Sequence, residues 1–195
     1  MADYCTTAQV KALLGATETT DDELIGTLIT RASALIDSYC RRAFVEASAT
    51  RYYTPGVDNV GLTLFLDDDL LSVTTLTNGD GTVITAAQYK LFPLNRSPKN
   101  RIQLLESSNY SWTYTTDAEG AISVAGSWGY CTAAARPADV TQAAARLALW
   151  LYRQREAPFS RVGNAITGEY EIPVELPDDV KAMLARYLRF VWRAV

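Results

Sequence analysis

Residues Pro137–Ala157 read PADVTQAAARLALWLYRQREA, and the helical period in this stretch decides how the rest of the chain is read. At about 3.6 residues per turn, Val140, Ala143, Ala144, Leu147, Ala148 and Leu151 fall on one stripe. Pro137 followed by Asp139 makes a sound start: proline needs no amide partner there, and the acid meets the positive end of the helix dipole. Leu149 lies on the opposite side, beside Gln142, Arg146 and Arg153. A helix with a core stripe and a large apolar residue on its back asks for two neighbours. Leu149, Arg146 and Arg153 are therefore a candidate subunit contact. The PxDV start returns as Pro177, Asp179 and Val180; two copies are too few for a solenoid.

Upstream, Thr6 with Gln9 has the spacing of a capping box, and Gly15 is a stop for a first helix. Thr20 with Glu23 repeats the box, and Asp21 to Glu23 suit the first turn of a second helix reaching about Ala43. Its apolar sector is Leu24, Ile25, Leu28, Ile29, Ala32, Leu35, Ile36, Tyr39 and Cys40, with Ser33 and Asp37 on the polar side. A rod of that length spans roughly 35 Å. Each large side chain it buries contributes roughly 1.5–3 kcal/mol before entropy is subtracted.

After Val45 the texture turns Thr-, Tyr- and Gly-rich. Short alternating runs predict strands at Leu62–Leu66, Leu71–Leu76, Thr82–Ile84, Tyr89–Phe92, Arg101–Leu105 and Ile122–Trp128. Asn78-Gly79-Asp80-Gly81 is a hairpin turn, because these residues adopt positive φ at little cost. Downstream of Pro137–Ala157, a loop over Pro158–Pro177 carries a small hairpin in Ala165–Ile172. A last helix runs from Asp178 to the chain end, striped by Val180, Met183, Leu184, Tyr187, Leu188 and Val191. Phe190 and Trp192 widen that stripe, and Arg186, Arg189 and Arg193 line its back.

The expected fold class is α+β. Residues 1–46 with 136–195 make a helical core of about four helices, of which 178–195 is an outward C-terminal docking helix. Residues 47–135 form an inserted antiparallel β-module of five to six short strands.

The 195 residues are 48% apolar and 21% charged with a net charge of −4, an ordinary globular composition. That balance argues against indiscriminate nucleic-acid binding by a single copy. Charge is uneven: from Arg136 onward there are nine Lys/Arg against seven Asp/Glu, and from Val45 to Cys131 five against nine. Cys5, Cys40 and Cys131 are odd in number and far apart, so no disulfide framework is implied, and Cys40 reads as a small buried hydrophobe. MADYCTTAQV has neither a basic nor an apolar signal region, and no run spans a bilayer, so a soluble cytosolic product is expected.

The sequence contains no histidine, which removes Ser-His-Asp triads, Cys-His nucleophiles and HExxH zinc sites together. No GxGxxG or Walker-A motif is present. Asp67-Asp68-Asp69 reads as a solvated turn in preference to a divalent-cation cluster, since adjacent acids on a strand face opposite ways. No catalytic residue, metal site or cofactor is expected. Arg186, Arg189 and Arg193 are either a solvated face or a contact for an acidic partner, phosphates or a membrane surface.

In order along the chain stand Val10-Lys11-Ala12-Leu13-Leu14, Asp22-Glu23-Leu24-Ile25 leading to Tyr39-Cys40-Arg41-Arg42, and Ile122-Ser-Val124-Ala-Gly126-Ser-Trp128-Gly129-Tyr130. Pro137-Ala-Asp139-Val140 then leads to Trp150-Leu-Tyr152-Arg-Gln-Arg155-Glu156, and Leu176-Pro177 precedes the last helix. This succession resembles the tailed-bacteriophage head–tail connector proteins, the adaptor or head-completion family. The resemblance implies a non-enzymatic structural virion protein, assembled in the host cytoplasm. It would form a homo-oligomeric ring, most often of twelve copies, in the neck beneath the portal protein. Such a ring extends the channel for double-stranded DNA, without sequence specificity, and seats the stopper or tail-completion protein. No membrane is involved. The resemblance also makes the C-terminal segment the portal-docking element, which here means Arg186, Arg189, Phe190, Trp192 and Arg193. The alternative is a DNA-binding module acting in packaging or replication, with an enzyme third.

Overall fold

The computed structural model describes residues 2–154, 162–163, 170–171 and 176–189. The chain folds as two compact units, one of Met1–Arg41 with Arg136–Leu188, the other of Arg42–Ala135 with Arg189–Val195.

In the first unit, helix α1 (Thr7–Leu14) begins with the capping box foreseen at Thr6 and Gln9 and ends at Gly15 in the left-handed region. Helix α2 (Asp22–Cys40) departs from expectation at both ends. Its N-cap is Asp21, with no side-chain cap, so the Thr20–Glu23 box does not form. At the far end Arg41 turns left-handed and sends its N–H to the carbonyls of Asp37 and Ser38, stopping the helix short of Ala43. The rod is thus nearer 28 Å at about 1.5 Å per residue. Lys11 Nζ bonds the Asp22 carboxylate at 2.9 Å and ties α1 to the start of α2.

Ser33, placed by sequence on the polar side, is fully buried. The chain ahead of α1 lies over it: the Tyr4 N–H donates to Ser33 Oγ at 3.0 Å, and that hydroxyl donates to the Ile29 carbonyl at 2.9 Å. A polar residue is acceptable there because both its capacities are used.

Helix α3 (Ala138–Gln154) buries the whole stripe read from Pro137–Ala157, and Ala145 besides. It packs against α1, α2 and α4 (Asp178–Leu184). The alanines on this stripe let neighbouring helices approach closely. After α4 the chain makes a 3-10 turn, Ala185–Tyr187, and Leu188 adopts φ −57, ψ 129, outside the helix. The helix expected to continue from Asp178 to the chain end therefore stops there, and Val180, Leu184 and Tyr187 are buried in their own unit. Nearby, β8 (Val162–Gly163) pairs antiparallel with β9 (Tyr170–Glu171); the rest of the hairpin expected within Ala165–Ile172 lies outside the described residues.

The second unit is a seven-stranded antiparallel sheet: β1 (Ala47–Tyr53), β2 (Asn59–Val60), β3 (Thr63–Thr77), β4 (Val83–Ile84), β5 (Tyr89–Phe92), β6 (Lys99–Leu104) and β7 (Ile122–Trp128). The order is β1-β7-β3-β6-β5, with β2 and β4 also on β3. β5 and β7 have the bounds read from sequence. The two runs Leu62–Leu66 and Leu71–Leu76 are instead one long strand, which passes straight through the three aspartates. Its first half pairs with β6 and its second with β7, with the β6 register shifting between Phe65 and Leu70. Leu64, Leu70, Leu76, Ile102, Ile122, Val124 and Trp128 fill the core on one side of this sheet. Gly126 permits the β3–β7 approach, since a Cβ there would stand 2.2 Å from the Ser72 carbonyl oxygen.

Candidate interaction surfaces

In the first unit, Leu149 is half-buried and lines a groove of about 310 Å³ with Leu13, Trp150, Pro177 and Val180; Arg146, Arg153 and Asp179 complete its lining. Arg146 and Asp179 pair across it at 2.6 Å, joining α3 to α4, and Arg153 is exposed. The three residues singled out for a subunit contact thus converge on one concave surface, floored by apolar side chains and edged by two cations.

Arg186 and Arg189 engage different partners. Arg186 pairs with Asp139 of α3 and stacks 4.9 Å from the Tyr187 ring. Arg189 belongs to the second unit, where it donates to the carbonyls of Leu66 and Asp67 and lies 3.4 Å from the Asp69 carboxylate. The break at Leu188 separates the two. Phe190, Trp192 and Arg193 lie outside the described residues.

Arg189 enters a cluster that the sequence did not disclose. Asp67, Asp68 and Asp69, read as a solvated turn, are strand residues at the register shift of β3. Arg51 on β1 bonds Asp67 and Asp68, each at 2.7 Å, and its guanidinium lies over the Trp128 ring. Tyr53 donates its hydroxyl to Asp67 at 2.6 Å. Arg42 stands 3.4 Å from Asp69, whose residue exposure is only 3%. Burial raises the Asp69 pKa above the ordinary carboxylate value, against the pull of Arg42 and Arg189, and the charge of Asp68 adds to the rise. Burial and the bond to Asp67 likewise push the Tyr53 phenol up. Burial opposes the charge on Arg51, but Asp67 and Asp68 outweigh it, so its pKa rises. The only sequence signal was negative: three acids within an otherwise strand-like run have no local cation, so their partners had to come from afar.

Among the described residues no group of three or more His, Cys, Asp or Glu is arranged to hold a metal ion, and no helix is long and apolar enough to cross a membrane. The cluster is an ion-pair lattice in which Arg42 Nε and Asp69 Oδ2 face each other at 3.4 Å as a buried ion pair without a hydrogen bond. A profile of the head completion proteins matches residues 3–190. The chain belongs to that family. No curated protein matches it. Among solved structures it resembles chains from the neck of an empty gene transfer agent (GTA) particle computed with C6 symmetry, at TM-score 0.57 and 18% identity over 95% of this chain and 90% of that one. A chain from the neck of the native GTA particle, computed with C12 symmetry, gives 0.53 and 17% over 88% and 85%. One from the virion of the native GTA particle gives 0.57 and 18% over 95% and 90%. These likenesses concern the fold. This head completion protein shares their fold over most of its length.

Proposed function

We propose that this chain is a structural, non-catalytic neck component that forms a ring between the head portal and the tail, through which double-stranded DNA passes. The single observation that carries this reading is the family match over almost the whole chain, 3–190; the symmetric necks from which the structural relatives come support it. The groove around Leu149, with Arg146 and Arg153 on its rim, is proposed as a surface that takes a partner in the assembled neck. Portal docking is proposed for the C-terminal segment. Of the five residues proposed for it, Arg186 stays 68% exposed beside Asp139 and remains available, whereas Arg189 is buried against Asp69; Phe190, Trp192 and Arg193 complete the proposed set.

Negative-stain images of the purified chain, alone and mixed with its portal, test the reading. The expected result is rings, or a ring capping the portal. A chain that stays monomeric, ignores the portal and binds DNA tightly with steep salt dependence would overturn it in favour of a packaging or replication module.

A further inference from the structure

The sheet of the second unit ends in two unlike edges. Among the described residues, β5 at one end pairs only with β6, and β1 at the other pairs only with β7. Four of the five Lys/Arg between Val45 and Cys131 lie on the β5–β6 hairpin, and the nearest acids along the chain are Asp80 and Glu106. Lys90, Arg96 and Arg101 of that hairpin are exposed, whereas Lys99 is turned back onto the carbonyls of Pro93 and Leu94.

The β1 edge has the opposite sign. Glu46 precedes the strand, and exposed Asp117 and Glu119 lie in the loop whose Gly120 N–H bonds the Thr54 hydroxyl just past the strand's end. The cation on β1, Arg51, is neutralised by Asp67 and Asp68. Ala47 to Thr50 are small and exposed, and Tyr52 is 67% exposed. β1 therefore carries no lysine, proline or bulge of the kind that shields an edge strand from another chain.

We infer that the basic β5–β6 edge of one copy docks on the acidic β1 edge of the next. A closed ring of more than two subunits requires a heterologous contact, in which two different patches of one chain complement each other. An edge at each end of one sheet that no described strand covers, with opposite charges, meets that requirement, whereas two β1 edges would repel. The inference rests on the ring reading above and assigns a contact within it.

Two exposed pairs test it: Lys90→Glu with Arg96→Glu, and Asp117→Lys with Glu119→Lys. Sedimentation velocity up to about 1 mM would follow the wild type, each variant and their equimolar mixture. Each variant alone should self-associate roughly tenfold more weakly or worse, because like charges now face each other. The mixture should recover assembly, since alternating copies restore opposite charges at every contact. Carbodiimide coupling of mixed 14N and 15N wild-type chains should join Lys90 to Glu46, Asp117 or Glu119 between copies. If both variants assemble like the wild type, or the mixture fails although both are folded, the edge contact is wrong while the ring reading stands. A wild type that remains monomeric throughout overturns the edge contact, and overturns the ring reading too only if the chain also forms no ring on its portal.

Discussion

The guanidinium of Arg189 stands 3.4 Å from the carboxylate of Asp69, in side chains that are only 9% and 5% exposed. One comes from the chain just past the 3-10 turn and the other from the middle of β3. The pair fixes the start of the C-terminal segment to the β-unit. Removing Arg189 leaves buried Asp69 with Arg42 as its remaining close cation and takes the donor from the Leu66 and Asp67 carbonyls, which costs more than the pair itself is worth. Arg189→Met should therefore destabilise the protein by about 3 kcal/mol at pH 7 in urea unfolding. The deficit should shrink on acidification, because Asp69 can then lose its charge. A loss below about 1 kcal/mol, or one independent of pH, would sink this account.

Asp69 also predicts the direction of a pH dependence in the wild type. Its folded pKa is raised by burial, beyond what Arg42 and Arg189 recover. A carboxyl with a raised folded pKa binds its proton more readily folded than unfolded. Its contribution is fully present below the unfolded pKa and is lost as pH rises through the folded one. Asp69→Asn lacks that titration. The wild type should therefore lose stability relative to Asp69→Asn as pH rises from the ordinary aspartate value upward. A stability difference that is flat or of opposite slope over that window refutes the prediction.

The contrast between α3 and β3 shows where sequence reading succeeds. The α3 stripe is local: Val140 to Leu151 share one face whatever they pack against, so periodicity alone locates the core. β5 and β7 are legible for the same reason. β1 is not, because its Ala47 to Thr50 are exposed and give no apolar alternation. The Asp67–Asp69 run was misread because its meaning is non-local. Arg42, Arg51 and Arg189 reach it from 27, 16 and 120 positions away, and nothing adjacent marks Asp69 as buried. The break at Leu188 was missed for a related reason, since helical spacing continues in the sequence past the point where Arg189 finds its partners on β3. Leu149, Arg146 and Arg153 line one groove because they share one helix.

Asn78 makes the 78–81 turn more than a local device. Its Oδ1 accepts from the N–H groups of Gly79 and Thr113, and its Nδ2 donates to the Ser111 carbonyl at 2.9 Å. Asn78→Ala leaves these groups without their partner, at a cost of about 2–3 kcal/mol in urea unfolding. Asn78→Asp should be nearly as harmful, because a carboxylate cannot donate to Ser111. Gly79→Ala should also destabilise, since its Cβ would stand 2.4 Å from the Thr113 carbonyl oxygen. If Asn78→Ala melts like the wild type, the 109–121 loop is held by its own aromatic residues and not by this side chain.

The last prediction separates a core helix from a detachable arm. Leu184 of α4 has no exposed surface, and Val180 and Tyr187 are buried beside it. Truncating a buried leucine costs the lost transfer energy plus a cavity term, together about 2–5 kcal/mol. Leu184→Ala should therefore lower the stability of the isolated chain by about 3 kcal/mol. Cutting the chain before Pro177 should remove helical signal well beyond the residues deleted, because α3 then loses a packed neighbour. Leu149→Asp, on a half-buried position in the groove, should cost the monomer less than Leu184→Ala and weaken assembly more. Circular dichroism with urea titration distinguishes these cases. A truncated chain that melts cooperatively at the wild-type midpoint would mean that α4 is an arm after all, with its apolar face kept for a partner.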